Sequence, residues 1–369
     1  MVLSSSAGTP AAGEEGLALW CSPVADLGGV ARHILDVLTA GVPGWRIMLV
    51  CPDGPLAQRA RDLGAAVMTA RVSPADGARC AVRELRRILQ RLRPDLLHTH
   101  LAFADLVGVA AVAGLRSGQG QRIRFVSTEH GIAGAQGYYQ SSRAAAVMKT
   151  GAHRARLHRT DAVIAVSDST REQIRTQWGS GAPITVVRNG VVVPAEAERT
   201  PGLRVLSLSR LAPEKRIDRL IKAFARVAAE HPEARLTIAG TGPEEQTLRS
   251  LVAASGLQSM VEFPGYVEAA SALASHDVLV QLSDWENLSY TLLDAVAHGL
   301  GVVATDVGGN AEILPSRCLV DGADPHAVAT AITRQGLEIS VRPDRAESRL
   351  GPVAEMCSGI AHVYSGVFR

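Results

Sequence analysis

The sequence predicts an α/β protein built from two doubly wound parallel-sheet domains. Three observations carry this. Short apolar runs alternate with helix-length segments of 3.6-residue periodicity. The alternation halts once, at a polar stretch, and then begins again. At 369 residues the chain is also longer than one ordinary core needs.

The first series of buried strands is Leu17–Ser22, Arg46–Cys51, Leu96–Thr99, Phe125–Thr128, Ala162–Val166 and Ile184–Val187. Between them lie amphipathic segments such as Val82 to Leu92 (VRELRRILQRL). Strands that are apolar throughout, separated by helices, belong in a parallel sheet covered on both faces. Asn189-Gly190 is a turn dipeptide, and polar Pro194 to Gly202 reads as an interdomain linker. The second series follows: Val205–Ser209, Leu236–Ala239, Val261–Phe263, Val278–Leu282 and Val302–Thr305. Val353 to Phe368 reads as a terminal helix. The expected division is residues 1–195 as one domain, with 353–369 packing back on it, and 203–349 as the other. Two such domains present the carboxyl ends of their strands to ligand, and a central cleft between them is the expected site.

Composition narrows the class. Hydrophobic residues make up 47% and charged residues 20%, which excludes a disordered chain. Cys21, Cys51, Cys80, Cys318 and Cys357 are scattered, odd in number and without CxxC spacing, which argues against a disulfide framework or a structural zinc. The first sixteen residues have no basic start and no long apolar run and read as a flexible tail. The longest apolar stretch, Leu106 to Leu115, is about half of what a membrane span needs. A soluble, cytoplasmic protein is expected. Residues 1–200 carry 23 Lys and Arg against 16 Asp and Glu, the remainder 15 against 20. A basic first half suits a phosphate-bearing or membrane-bound partner, and equally a set of solvated helix faces. The basic segment Arg143 to Arg159 has the same two readings, an anionic membrane surface or a solvated helix.

The densest chemistry lies from Ser283 to Leu314. A helix beginning near Leu288 would offer the N–H groups of Ser289, Tyr290 and Thr291 as an anion site suited to a diphosphate. Glu286 would sit in the loop before it. Asp294 would lie two turns in, off the core face, and needs a partner such as a ribose diol or an arginine. Upstream, SRLAPEKRIDRL (Ser209 to Leu220) follows a strand, and Arg210 and Lys215 are of the types that grip phosphate. His98, His100 and His130 fall at strand ends without metal-ligand spacing, so no metal is expected.

These motifs together resemble glycosyltransferase family 4, the retaining, GT-B-fold, group 1 type. Glu286, seven residues, Asp294 and then HGLGVVATDVGGNAE resemble the family's acid-x7-acid signature. The resemblance implies that Glu286 binds donor-sugar hydroxyls and Asp294 the ribose, while Arg210 and Lys215 clamp the diphosphate. IAGTGP (Ile238 to Pro243) and EFPGYV (Glu262 to Val267) are similar to family landmarks, the second placing Tyr266 and Val267 beside the base. Gly28 and Gly29 resemble the glycine loop near the donor phosphates, and His130 a histidine near the sugar's outer hydroxyls. His98 and His100 are read as structural. Three positions depart from the family pattern. Asp294 is one methylene shorter than the usual glutamate, Asn287 replaces a frequent glycine, and Arg216 stands where a small residue is usual.

The implied activity is metal-independent, retaining transfer from a nucleoside-diphosphate sugar to an acceptor hydroxyl on a glycan, lipid-linked molecule or natural product. The nucleotide sugar is a substrate and no cofactor is implied. No nucleic-acid partner is expected, the sequence sets no oligomeric state, and a lipid-linked acceptor would bring peripheral contact at the inner membrane face. An Ala- and Arg-rich composition points to a high-GC bacterial genome. Two other readings compete: a GT-B enzyme of another kind, such as a nucleotide-sugar epimerase or a phosphorylase, and a non-catalytic partner protein that keeps the fold.

Overall fold

The structure, a computed structural model, describes residues 15–131, 143–195 and 198–369. Most of the tail read above, and residues 196 and 197 of the linker, lie outside the described residues, as do the side chains of residues 143–146. The chain divides into two compact units. One takes residues up to Gly190 together with Val353–Arg369, the other Val191–Pro352.

The first unit runs β1 (Gly16–Cys21), α1 (Gly29–Ala40), β2 (Trp45–Cys51), α2 (Pro55–Asp62), β3 (Ala66–Thr69), α3 (Ala78–Leu92), β4 (Leu96–His100), α4 (Ala102–Val112), β5 (Arg124–Glu129), α5 (Arg143–Leu157), β6 (Ala162–Ala165), α6 (Asp168–Trp178) and β7 (Ile184–Val186). Its seven strands pair in the order β3-β2-β1-β4-β5-β6-β7, and every pair is parallel. The second unit runs β8 (Arg204–Leu208), α7 (Ile217–Glu230), β9 (Arg235–Ala239), α8 (Glu245–Ala254), β10 (Val261–Gly265), α9 (Ala269–Ser275), β11 (Val278–Gln281), α10 (Tyr290–Ala297), β12 (Gly301–Thr305), α11 (Asn310–Ile313), β13 (Leu319–Val320) and α12 (Pro325–Leu337). Its order is β10-β9-β8-β11-β12-β13, again parallel throughout. The terminal helix α13 (Val353–Gly366) belongs to the first unit.

The two sheets therefore repeat one plan. Each walks outward from its first strand, then crosses back and walks the other way, so each has a switch point where adjacent loops part. These points lie between β1 and β4 and between β8 and β11, and a crevice at the strands' carboxyl ends is the place for a ligand.

Alternation within β1 explains the two-sided core of the first unit. Ala18 and Trp20 pack with Ile34 and Val37 of α1 and with Ile360 and Tyr364 of α13. Leu19 and Cys21 point the other way, onto Leu85 and Leu89 of α3 and Val107 of α4. Period-2 strands and period-3.6 helices meet this way only when both faces are covered. In the second unit Val205, Ile221, Phe224, Leu236, Val280 and Ile332 form the corresponding core. Phe224 is fully buried, and its truncation to alanine would cost about 3–5 kcal/mol.

Three elements differ from the expectation. β3 and β13 are short edge strands without a buried apolar run; Ala66 and Thr69 are exposed, and β13 has two residues. Helix α10 starts at Tyr290 rather than near Leu288, because Ser289 is its N-cap and its hydroxyl accepts the Leu292 N–H. With that start Asp294 lies just past the first turn, not two turns in. It is also buried, since Leu292 to Ala297 are all buried and leave no open face for it.

Candidate active site

In the second unit the switch point gathers most of the residues singled out from sequence. The loop after β8 carries Arg210 and Lys215, and the loop after β11 carries Glu286. Lys215 Nζ donates to Glu286 Oε1 across 71 positions of sequence. Ser283 Oγ donates to the same carboxylate at 2.8 Å. The loops are tied at the backbone as well, Asp284 N–H donating to Glu214 O at 2.8 Å. Arg210 is largely exposed and pairs with buried Glu214 at 2.5 Å. A cationic side chain, a carboxylate and a helix N-terminus are thus held together.

Glycine is required where these loops touch others. At Gly240, φ is +129° and a Cβ would lie 1.9 Å from Ser209 O, so the IAGTGP turn supports the Arg210 loop from behind. At Gly308, φ is +58° and a Cβ would lie 1.8 Å from Glu286 O. Gly309 N–H donates to Asn287 O at 2.6 Å, so the Gly-Gly after β12 fixes the backbone of the acid.

The three departures from the family pattern acquire local explanations or contacts. Arg216 sits at φ +49°, a left-handed conformation that favours glycine. Its guanidinium bonds Asp218 at 3.1 Å and Asp284 at 3.2 Å, which holds it firmly protonated and binds the two loops further. Asn287 is buried, and its Oδ1 accepts no hydrogen bond among the described residues. Asp294 is 5% exposed, and its backbone carbonyl accepts from the N–H of His298.

Ser289 caps α10, Tyr290 is its first residue and Thr291 its second. The three N–H groups singled out from sequence thus belong to the cap and the first two positions of the helix. Tyr266 is 73% exposed in the loop after β10, and Val267 beside it is half-buried.

Sequence reasoning missed Gln281, the last residue of β11. A shallow pocket at the ends of β8 and β11 is lined by Ser207, Ser209, Lys215, Gln281 and Thr291. The signal was available: a glutamine at the end of an otherwise apolar strand, VLVQ.

In the first unit Gly28 is the N-cap of α1 and Gly29 its first residue, both exposed. A Cβ on Gly28 would meet nothing within 4 Å, so the described chain itself gives no steric reason for glycine there. His130 follows β5, and its Nε2 lies 2.9 Å from His100 Nδ1. His98 is fixed on both sides, Nδ1 at 2.5 Å from Tyr364 Oη and Nε2 at 2.7 Å from Thr128 Oγ1. Trp20 Nε1–H donates to the same tyrosine at 2.8 Å. His33 of α1 lies against His130 and 3.3 Å from Asn189 Oδ1.

Burial keeps these imidazoles neutral. It lowers His33 to about 4, the Asn189 contact opposing it, and it holds His98, His100 and His130 well below the usual histidine value, with the neighbouring imidazoles adding to the effect. His33, His100 and His130 each offer a nitrogen within 4.8 Å of the others. The sequence did not group them, because His33 comes from α1 and the others from two strand ends.

Beneath His130, Arg156 of α5 is buried between Asp105, at 3.0 Å, and Glu129. Burial pushes the Asp105 carboxyl well above the usual range, Arg156 opposing and Glu129 adding to it. This triad locks α5 to the end of β5. Read as part of a basic surface helix, Arg156 is instead one of the largest fully buried side chains.

Comparison with known proteins places both units. Residues 27–193 match the model described as Glycosyltransferase Family 4, and residues 202–335 match Glycosyl transferases group 1. An exopolysaccharide phosphotransferase of Streptomyces coelicolor is 32% identical over 183 residues, 47% of this chain and 19% of that protein. A phosphatidylinositol N-acetylglucosaminyltransferase component of Arabidopsis thaliana is 26% identical over 277 residues, 72% of this chain and 60% of that one. The match thus spans about a fifth to six-tenths of these relatives' own length. Among solved structures, Anabaena HepE in complex with UDP-glucose superposes with a TM-score of 0.79 at 18% identity, covering 95% of this chain and 100% of that one. With both units matched in order and both sheets of the GT-B kind, the chain belongs to glycosyltransferase family 4, the glycosyl transferases group 1 type.

Proposed function

We propose that the chain is a retaining glycosyltransferase that moves a sugar from a nucleoside-diphosphate sugar to an acceptor hydroxyl. The observation that carries the reading is the Lys215–Glu286 pair beside the N-terminus of α10. On binding, the donor's diphosphate takes over Lys215 and Arg210, and a sugar hydroxyl takes over Glu286. The ion pair is then exchanged for two charge-assisted contacts. Asp294 holds the ribose, and Tyr266 and Val267 border the base; the family resemblance also assigns Gly28, Gly29 and His130 to donor binding.

In the reaction the bond from the anomeric carbon to the diphosphate oxygen breaks, and the electron pair leaves with the diphosphate. The acceptor oxygen bonds to the same face of that carbon, and its proton passes to the departing phosphate oxygen. The chain's contribution is to stabilise negative charge as it develops on the leaving group, by Arg210, Lys215 and the positive N-terminal end of α10. A neutral His130 suits a hydrogen bond to a sugar hydroxyl. No metal takes part in this scheme. A lipid-linked acceptor would bring the chain to a membrane surface, and no helix of the described residues is long and apolar enough to cross one.

The test is binding by the full chain to UDP-, GDP-, ADP- and dTDP-sugars, with chelator present, followed by thermal shift. One diphosphate family should stabilise the wild type, and Arg210→Ala and Lys215→Ala should abolish the shift. No stabilisation by any of them would favour a non-catalytic partner protein.

A further inference from the structure

We infer that Gln281 is a further donor-site residue, whose side-chain amide donates a hydrogen bond to an oxygen of the donor's diphosphate. The inference rests on the reading above and extends it to a residue that neither the sequence motifs nor the family signature marks.

Gln281 is 8% exposed and ends β11 at the switch point. Its neighbours fix which way the amide faces. The Ser289 hydroxyl already accepts the Leu292 N–H, at 3.4 Å, as the cap of α10. Its own hydrogen is donated to Gln281 Oε1, 2.9 Å away. Nε2, the other end of the amide, is buried with no hydrogen-bond partner among the described residues. An unmade hydrogen bond at a buried amide costs about 1–3 kcal/mol, so a group kept in this state is expected to gain a partner when the site fills. The residue lines the same pocket as Lys215, Ser207, Ser209 and Thr291.

The chemistry of that partner follows from the chain of contacts. Leu292 N–H, the Ser289 hydroxyl and the Gln281 amide form a directed series that begins at the positive end of α10. Each bond polarises the next, so the helix terminus is extended through two side chains to Nε2. A donor polarised in this sense, next to a lysine, recognises an anionic oxygen. Lys215 supplies a charge, while Gln281 supplies direction without adding charge.

The experiment is calorimetric titration of the full chain with UDP, GDP, ADP and dTDP, and with UDP-glucose, for wild type, Gln281→Met and Gln281→Glu. Methionine keeps the volume and removes the donor together with the acceptor of the Ser289 hydroxyl, which glutamate restores. Glutamate can still accept from Ser289 but puts an oxygen in place of Nε2. The diphosphate that binds wild type should bind Gln281→Met about 10- to 100-fold more weakly, the range for a hydrogen bond to a charged group. Gln281→Glu should bind it more weakly still, with both variants melting near wild type in the absence of ligand. Unchanged diphosphate affinity in both variants would overturn the assignment. So would a loss confined to UDP-glucose with UDP itself unaffected, since the contact would then be to the sugar. If wild type binds none of these compounds, the donor-site reading itself fails and this inference falls with it.

Discussion

Lowering the pH should unfold the first unit through its buried imidazoles, and His33 allows the size of the effect to be worked out. Folded, His33 titrates at about 4 because it is buried; unfolded, an imidazole titrates near 6.5. The folded value is depressed, so stability is intact above about pH 6.5 and is lost as pH falls toward 4. At pH 5 the unfolded state has gained nearly a full proton that the folded state refuses, which costs about 2 kcal/mol from His33 alone. His98, His100 and His130 act in the same direction. Asp105, raised by burial, acts in the opposite one and loses stability as pH rises. Comparison with His33→Gln removes the titration of His33 together with its effect on His98, His100 and His130, because glutamine can still bond Asn189 and cannot be protonated. Urea unfolding at pH 7.5 and pH 5, followed by tryptophan fluorescence, reads the difference; Trp20 stacks on His33 at 6.1 Å. Wild type should lose about 2 kcal/mol more than His33→Gln over that interval. Equal losses would refute the claim that His33 is held neutral.

Three further outcomes test the loops and surfaces. Gly308→Ala places a methyl against Glu286 O at a left-handed φ, so it should destabilise the chain by about 2 kcal/mol or displace the acid and weaken donor binding about tenfold. Melting and titration together distinguish this from a neutral change. Arg216→Gly relieves a left-handed arginine, worth about 1–2 kcal/mol, and removes part-exposed ion pairs worth about 0–1 kcal/mol each. Urea midpoints should therefore stay near wild type, and a loss above about 3 kcal/mol would mean that the pairs dominate. On α5, Val147 and Met148 are 73% and 76% exposed beside exposed Lys149 and Arg154. Phosphatidylglycerol vesicles should pellet the wild type better than phosphatidylcholine ones, and Val147→Asp with Met148→Asp should remove the difference. Equal pelleting throughout would make α5 a solvated helix.

The central strands of both sheets were legible because strands buried on both faces must be apolar along their whole length. β3 and β13 escaped because neither carries such a run: Ala66 and Thr69 of β3 are exposed, and β13 has two residues. The acid-x7-acid spacing and the Arg210–Lys215 loop were legible as motifs, but their meeting was not. Lys215 and Glu286 are joined only by the strand order that sets β8 beside β11. Gln281 and Arg156 were hidden for opposite reasons. One is a polar residue inside what read as an apolar strand, the other a charged residue inside what read as a solvated helix. Each is explained by partners outside its own element: Ser289, eight residues on, for the first, and Asp105 and Glu129, distant in sequence, for the second. The start of α10 was misplaced by two residues because Ser289, a cap, was counted as helix.

The proposed transfer with retention would leave its mark on the configuration of any sugar released. The wild type would be incubated with UDP-glucose, and with the GDP, ADP and dTDP counterparts, while proton NMR follows the anomeric signals during slow donor hydrolysis. Sugar released from an α-linked donor should appear first as the α anomer, before mutarotation mixes the two, and Lys215→Ala should suppress its release. First appearance of the β anomer would contradict retention, and release no faster than in Lys215→Ala with every donor would contradict catalysis.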